Sequence, residues 1–230
     1  GSGDTAPYRV SNSEIQTFKE CRRRWWLRYY RRLQTKNKKV SGPLALGSRV
    51  HAALEQYYEY GTPLLEAYAK LMEVDRTIAI TEWLDVDALE SEGEMGSIML
   101  EGYLEGVSEE GIDAEYDIIS NEETLIMPMD IPGHNVELQG KLDMRVRRKA
   151  DGTRLFRDFK TVGQSFDQFV STLHLNEQVL TYMVLEAYHN TEDDRADGAI
   201  FTLLKKNKRT TRAQPPFYDQ VEIIHNNFTL

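Results

Sequence analysis

Gly140-Lys141-Leu142-Asp143, followed fifteen residues after the aspartate by Asp158-Phe159-Lys160, brings two carboxylates and a lysine into one short stretch. Carboxylate oxygens are hard donors that suit a hard divalent cation. A lysine beside them can position a water against a phosphodiester and offset its negative charge. Ala150-Asp151-Gly152-Thr153 separates the two runs, and Asp-Gly favours a two-residue type I′ hairpin turn. With Asp151 and Gly152 in the turn, Asp143 is expected opposite Lys160, and Asp158 opposite Arg145. Alternation then puts Asp143, Asp158 and Lys160 on one face, with Leu142, Met144, Val146, Leu155 and Phe159 on the other. A one-residue slip would part Asp143 from the other two. Taken alone, the same residues also suit an ordinary cross-strand Asp–Lys pair on a solvated hairpin.

The elements around this hairpin can be read from periodicity and punctuation. Ser11-Asn12-Ser13-Glu14 fits a capping box, with Ile15, Phe18, Trp25 or Trp26, Tyr29 and Leu33 as the apolar stripe of one helix. A second helix is expected from Leu46 or Gly47 to Tyr60, ended by Gly61-Thr62-Pro63. Residues 64–84 and 88–110 read as two more helices with acidic outer faces. Strands are expected at 114–120, 124–130, 136–148 and 154–161, a helix from Phe166 to His189, and closing strands at Ala196–Leu204 and Phe217–Ile224. The order predicts an α+β or mixed α/β domain with a helical N-terminal elaboration. Residues 11–112 form that helical region, basic then acidic and carrying His51. Residues 113–230 form the core, the two making one integrated domain. Gly1-Ser2-Gly3 reads as an added tag, so residues 1–10 are expected to be an unstructured lead-in.

Composition is that of an ordinary folded domain, 40% hydrophobic and 28% charged. Cys21, the single cysteine, excludes an intrachain disulfide and any all-cysteine metal cluster within one chain. A reducing compartment is expected, with no membrane span and no signal peptide. Net charge is −9, which by itself argues against a nucleic-acid partner. Its distribution argues otherwise. Residues 1–50 carry 12 Lys/Arg against 3 Asp/Glu, and residues 51–130 carry 2 against 21. A phosphate backbone responds to local potential. Arg22, Arg23, Arg24 and Arg28, with Arg31, Arg32, Lys36, Lys38 and Lys39, interleave with Trp25 and Tyr29. That pattern suits single-stranded nucleic acid, whose bases stack on rings while phosphates meet guanidinium groups. A solvated helix face is the plainer reading of the same charges. Lys205, Lys206, Lys208 and Arg209 form a second basic run after a strand, suited equally to DNA contact or to a basic turn.

Four motifs fall in sequence order: Gly47-Ser-Arg-Val-His51-Ala-Ala-Leu-Glu55, Gly140-Lys-Leu-Asp143, Asp158-Phe-Lys160-Thr161 and Gln178-Val-Leu-Thr-Tyr182. Ahead of them stand Ser11-Asn-Ser13, Phe18-Lys-Glu-Cys21-Arg and Trp25-Trp26-Leu-Arg-Tyr29. Together, over residues 11–205, they resemble the RecB-like branch of the PD-(D/E)XK nuclease superfamily, with its small CRISPR-associated and phage exonuclease members. The resemblance implies a restriction-endonuclease-like mixed sheet flanked by helices. It implies that His51, Asp143, Asp158 and the Phe159 carbonyl are metal ligands, and that Lys160 activates the attacking water. It implies that Gln178 and Tyr182 support the site and the substrate strand; their i, i+4 spacing puts both on one helical face. His134, His174, His189 and His225 have no such context. Glu122 and Glu123 precede a strand leading toward the site and read as a solvated pair, with one of them able to approach a metal.

Many relatives hold an iron–sulfur cluster on one N-terminal and three C-terminal cysteines. Cys21 matches the N-terminal position alone, so no cluster is expected. The acid before Phe159 is aspartate, not the commoner glutamate. No Gly-x-x-x-x-Gly-Lys-Ser/Thr loop is present, so any ATP-driven unwinding would come from a helicase or recombination partner. The function implied is a Mg2+- or Mn2+-dependent deoxyribonuclease of the prokaryotic or phage-infected cytoplasm. It is expected to be an exonuclease on single-stranded DNA or DNA ends. A catalytically silent nucleic-acid binder and an RNA-directed nuclease are the alternatives.

Overall fold

The structure, a computed structural model, describes residues 6–33, 39–173, 177–191, 194–208, 213 and 216–224, without the side chains of 172 and 173. Lys36, Lys38, His174, Arg209 and His225 lie outside the described residues. A six-stranded mixed sheet carries helices on both faces, which is the expected α/β architecture.

The N-terminal stretch is more structured than its sequence suggests. β1 (Tyr8–Ser11), in the expected lead-in, pairs parallel with β3 (His134–Arg148) over Val136–Gln139. α1 (Asn12–Glu20) starts at Ser11, whose hydroxyl accepts from the Glu14 amide at 3.3 Å. The Glu14 carboxylate does not close a capping box. It is buried and accepts from the Tyr8 hydroxyl and from Trp25 Nε1. The expected single helix breaks at Cys21, which is extended and caps α2 (Arg22–Trp25) through Sγ. A π-helical turn, Trp26–Tyr30, follows. Phe18, Trp26 and Leu33 of the expected stripe remain exposed.

α3 (Pro43–Tyr60) begins earlier than expected because Pro43 sits at its first turn, and it stops at Gly61, whose φ is 68°. α4 (Leu64–Thr81) and α5 (Val86–Glu105) complete a bundle with it, and a π-helical turn extends α5 to Glu110. Leu54, Tyr68, Leu100 and Tyr103 pack with Met144, Val146, Leu155 and Phe159 on one face of the sheet. On the other face, α7 (Glu177–His189) packs Val179, Tyr182, Met183 and Leu185 against Leu138, Leu142, Phe156 and Phe201. The helix expected over 166–189 is two helices, with α6 at Phe166–Leu173. The two strands expected at 114–120 and 124–130 are one, β2 (Tyr116–Ile131), irregular near Ile118 and with φ of 51° at Glu122. β4 (Arg154–Val162) pairs parallel with β5 (Gly198–Lys205), and β6 (Tyr218–Ile224) closes the edge antiparallel.

The edges of β3 decide where chemistry can occur. β2 lies along one edge from His134 to Arg148. The other edge is shared: β1 occupies Val136–Gln139, and β4 pairs only with Met144–Arg147. Gly140-Lys141-Leu142-Asp143 falls in the gap, where neither neighbour takes its backbone groups. There β4 diverges from β3 to follow β5.

The hairpin register differs from the expected one by two residues. Met144 pairs with Arg157 and Arg145 with Phe156, so Asp143 does not oppose Lys160 and Asp158 does not oppose Arg145. The Asp151 carboxylate accepts from the Thr153 amide and from Arg148, and only Gly152, at φ 78°, is left-handed. A longer loop therefore replaces the type I′ turn, which needs positive φ at both centres. Asp158 and Lys160, two apart on β4, share the α7 side as expected, but Asp143 turns to His51 of α3, so the three do not share one face. Leu142 is a second correction: it packs toward α7, whereas Met144 packs toward α3. Residues two apart should share a face, so β3 turns over between them, at Asp143.

Candidate active site

Asp143 and Asp158 stand at the mouth of this fork. Asp143 Oδ2 accepts from the Phe159 amide at 3.2 Å, tying the last divergent residue of β3 to β4. His51, at mid-length in α3, brings Nδ1 to 3.2 Å from the same oxygen. Its ring meets the buried Phe159 ring edge-on at 6.5 Å. A small cavity of about 10 Å3 lies here, lined by His51, Glu55, Tyr58, Glu122, Asp143 and Phe159. That space admits one water-sized group.

Asp158 is buried on the α7 side of β4, and Lys160 Nζ lies 2.6 Å from its Oδ2. The approach lacks hydrogen-bond alignment, which leaves Oδ2 as a buried carboxylate oxygen with an ion-pair partner but no aligned donor. Lys160 Nζ donates instead to Gln178 Oε1 at 3.1 Å. Gln178 Nε2 donates to the Tyr182 hydroxyl at 2.7 Å, and that hydroxyl donates to the Lys141 carbonyl at 2.8 Å. Lys141 lies in the unpaired gap, so Tyr182 satisfies an acceptor that no strand reaches. Gly140 permits the close approach: a Cβ there would stand 2.7 Å from Leu185 and 2.9 Å from the Tyr182 ring.

The electrostatics separate the two acids. Burial opposes charge on Asp143, but the hydrogen bond and charge of His51 outweigh it and hold the carboxyl below the usual aspartate range. His51 is correspondingly pushed up: burial disfavours its imidazolium, and the Asp143 hydrogen bond and charge overcome that. Burial dominates at Asp158 and pushes its carboxyl up; Lys160 opposes the shift and Asp143 adds to it. Burial raises the Tyr182 phenol, which keeps it a donor.

An imidazole and two carboxylates, one with a buried oxygen lacking an aligned donor, are a donor set that fits Mg2+ or Mn2+. Among the described residues, however, no three His, Cys, Asp or Glu side chains are arranged as a metal shell. His51 pairs with Asp143 and Lys160 with Asp158, so each carboxylate has an internal partner. Glu122, grouped from sequence with solvated residues, borders the cavity as an ion-paired partner of Lys141, and burial pushes its carboxyl up.

Other positions named from sequence have different surroundings. Trp25 is half-buried, its indole N–H committed to Glu14 and its ring edge-on to Phe18 at 5.2 Å. Arg22 lies over Phe18 and Arg28 over Tyr29, while Arg24 reaches Glu20. Arg23 is exposed. Lys205 donates to the Gln164 carbonyl and lies over Phe166, at the sheet end that carries Lys160. His189 bonds the backbone of Ile126.

Sequence reasoning missed one buried pair that bears on this site. Arg145 Nη1 donates to Glu186 at 2.8 Å, its second nitrogen bonds the other carboxylate oxygen, and Glu186 is fully buried. Glu186 also accepts from Asn190 and from the Ala196 amide. The available signal was spacing: Gln178, Tyr182 and Glu186 recur every four residues along one face of α7.

A family model described as the PD-(D/E)XK nuclease superfamily matches residues 9–227. No curated protein matches the chain. Among solved structures, one described as "Crystal structure of SSO0001" is 13% identical. It is covered over 75% of its own chain and 92% of this one, with a TM-score of 0.35, a likeness too slight to carry an argument. No helix among the described residues is long and apolar enough to cross a membrane.

Proposed function

The chain belongs to the PD-(D/E)XK nuclease superfamily, and from that premise we propose that it is a divalent-metal-dependent deoxyribonuclease of the RecB-like branch. It acts as an exonuclease on single-stranded DNA or DNA ends. The observation that carries this reading is the convergence of His51, Asp143, Asp158 and Lys160 at the fork of β3 and β4. Asp143, Asp158, His51 and the Phe159 carbonyl would hold Mg2+ or Mn2+. The bound ion supplies a lowered pKa for water and neutralises charge that builds on phosphate.

The side chains do the rest. Lys160, steered by Gln178, orients the attacking water and donates to the phosphate as its charge rises. Gln178, itself held by Tyr182, gives that lysine a second partner beside Asp158. Without the ion, His51 and Lys160 are the partners of the two carboxylates. The arginines of the N-terminal arm attract the strand. The activity suits DNA recombination, repair or processing, of phage or chromosome, in the cytoplasm and with a helicase as partner.

End-labelled single- and double-stranded DNA and RNA, each with Mg2+, Mn2+ or EDTA, test the proposal. DNA should shorten from a terminus with either metal and stay intact in EDTA. Lys160→Ala and Asp143→Ala should each abolish cleavage. Metal-dependent cleavage persisting in both variants overturns the assignment, and DNA retention without turnover by the unmodified chain marks a silent binder.

A further inference from the structure

A cleft of about 610 Å3 opens beside the N-terminal arm, away from the acids, bordered by Tyr8, Arg9, Glu14, Arg28, Tyr29 and Arg32. Its volume falls in the range of small-molecule sites, roughly 300–1,000 Å3. Glu14 builds the floor: one buried carboxylate oxygen takes hydrogen bonds from both Tyr8 and Trp25, so the wall residues are fixed in advance. The rim is cationic. Arg9 is neutralised by Glu137 at 2.8 Å. Among the described residues, neither Arg28 nor Arg32 has a carboxylate partner. The Arg28 guanidinium lies 5.3 Å from the Tyr29 ring centroid, so a cation and a π-face are offered together.

The backbone here is also unusual. Arg28 and Tyr29 belong to the π-helical turn, a form that recurs at functional sites. Arg32, just beyond it, has φ of 50°, a left-handed conformation that side chains with a Cβ adopt at a cost. Charge, rings and backbone thus coincide on one cleft, and their chemistry is that of a nucleotide, an anion joined to a flat apolar base.

The cleft is joined to the catalytic fork by rigid elements. Tyr8 pairs with Val136 on β3, seven residues before Asp143, which at about 3.3 Å per residue is about 23 Å along the strand. α1 is docked on α7 through Lys19 and Gln16 to Glu177 and through Asn12 to Thr181. Glu177 is the neighbour of Gln178, which holds Lys160.

We propose that this cleft binds one nucleotide unit of a single strand, with phosphate on Arg28 and Arg32 and the base on Tyr29. It is a remote subsite that sets how far from the fork the strand is gripped. The proposal rests on the reading of the chain as a nuclease for single strands or ends, and it is tested without hydrolysis. Lys160→Ala protein in EDTA is titrated with a fluorescent thymidine oligonucleotide of about 12 units, within the usual footprint of roughly 4–16. Adding Arg28→Ala and Arg32→Ala should weaken binding roughly tenfold and reduce the salt slope by about one. Tyr29→Ala should weaken binding by a similar factor, as expected for a lost base stack of roughly 1–3 kcal/mol, leave the slope unchanged, and be restored by Tyr29→Phe.

Thymidine 5′-monophosphate is the second probe. Displacement of the oligonucleotide with the same arginine dependence assigns the cleft to a free nucleotide as well as to the strand. Dependence seen only with the oligonucleotide assigns it to an internal unit. Unchanged affinity and salt slope in the double arginine variant overturn the proposal. Because these readouts need no cleavage, their failure is separate from failure of the nuclease reading, which label release decides.

Discussion

Lys160 Nζ donates to Gln178 Oε1, and this bond is the first of a one-way series running through Tyr182 to the Lys141 carbonyl. Each group is donor to the next, so the amide of Gln178 has a single orientation that serves both neighbours. The series ends two residues before Asp143, and thereby links the lysine to the strand that carries the first acid. Gln178→Leu should lower kcat by roughly 10–100-fold with KM little changed, as expected when a support of a reacting group is lost. Tyr182→Phe should act in the same direction and less strongly. Steady-state kinetics on a labelled single strand measure both.

The Arg145–Glu186 pair sets the axial position of α7 against β3. Both side chains are buried; without Glu186, Arg145 would keep only the half-buried Glu123 carboxylate, 3.2 Å from its Nε. Glu186→Ala should destabilise the fold by about 3–5 kcal/mol in urea unfolding. The double replacement Arg145→Met with Glu186→Leu should recover most of that loss, because the one carboxylate left without its arginine, Glu123, is partly exposed to water. Equal destabilisation in the single and double variants would count against the pair as the cause.

The candidate residues were legible in the sequence because they fall in local runs. Spacing brings Asp143, Asp158 and Lys160 together as candidates, whereas His51, Gln178 and Tyr182 are singled out by the resemblance to the nuclease family. The fork was not legible. It depends on β1 and β4 sharing one edge of β3, a long-range fact that Asp-Gly turn chemistry cannot report. The turn residues pointed to a register two residues away, since Asp151 satisfies Thr153 and Arg148 where a type I′ turn would need it left-handed. Arg157 was equally hidden. Alternation puts it on the core face with Leu155 and Phe159, but no local pattern names its partners: it is buried among Tyr103, Asp113 and Thr202, with its guanidinium 5.0 Å from the Phe159 ring centroid.

The His51–Asp143 pair makes the metal-free protein sensitive to pH. His51 has its folded pKa above the usual 6.5, so its share of stability is complete below 6.5 and is lost as pH rises through the folded value. A cation needs the neutral imidazole, so its binding should release a proton and tighten over the same range. Thermal melts in EDTA from pH 6 to 9 should fall with pH, and the decline should be absent in His51→Gln. Mn2+ affinity by calorimetry should rise across that interval.

The two acids of one site should respond to neutralisation with opposite signs. Asp143 has a depressed folded pKa, so its charge adds stability above the usual 3.8, lost only as pH falls through the folded value. Asp143→Asn removes that contribution and leaves His51 without its anion. Asp158 has a raised folded pKa, so the folded state binds more protons than the unfolded chain between 3.8 and that value, and stability falls as pH rises across the window. Burial makes its charge a burden that Lys160 only partly offsets. In EDTA at pH 7, Asp143→Asn should melt below the unmodified protein, whereas Asp158→Asn should melt at the same temperature or higher. Both should lose the stabilisation that excess Mn2+ confers, about 2.7 kcal/mol at a hundredfold excess over Kd, because each removes a ligand. An Asp158→Asn protein that is more stable and inactive would show stability exchanged for function at one carboxylate. Equal destabilisation by the two substitutions would mean that Lys160 fully compensates the buried Asp158 charge and that the acids are electrostatically alike.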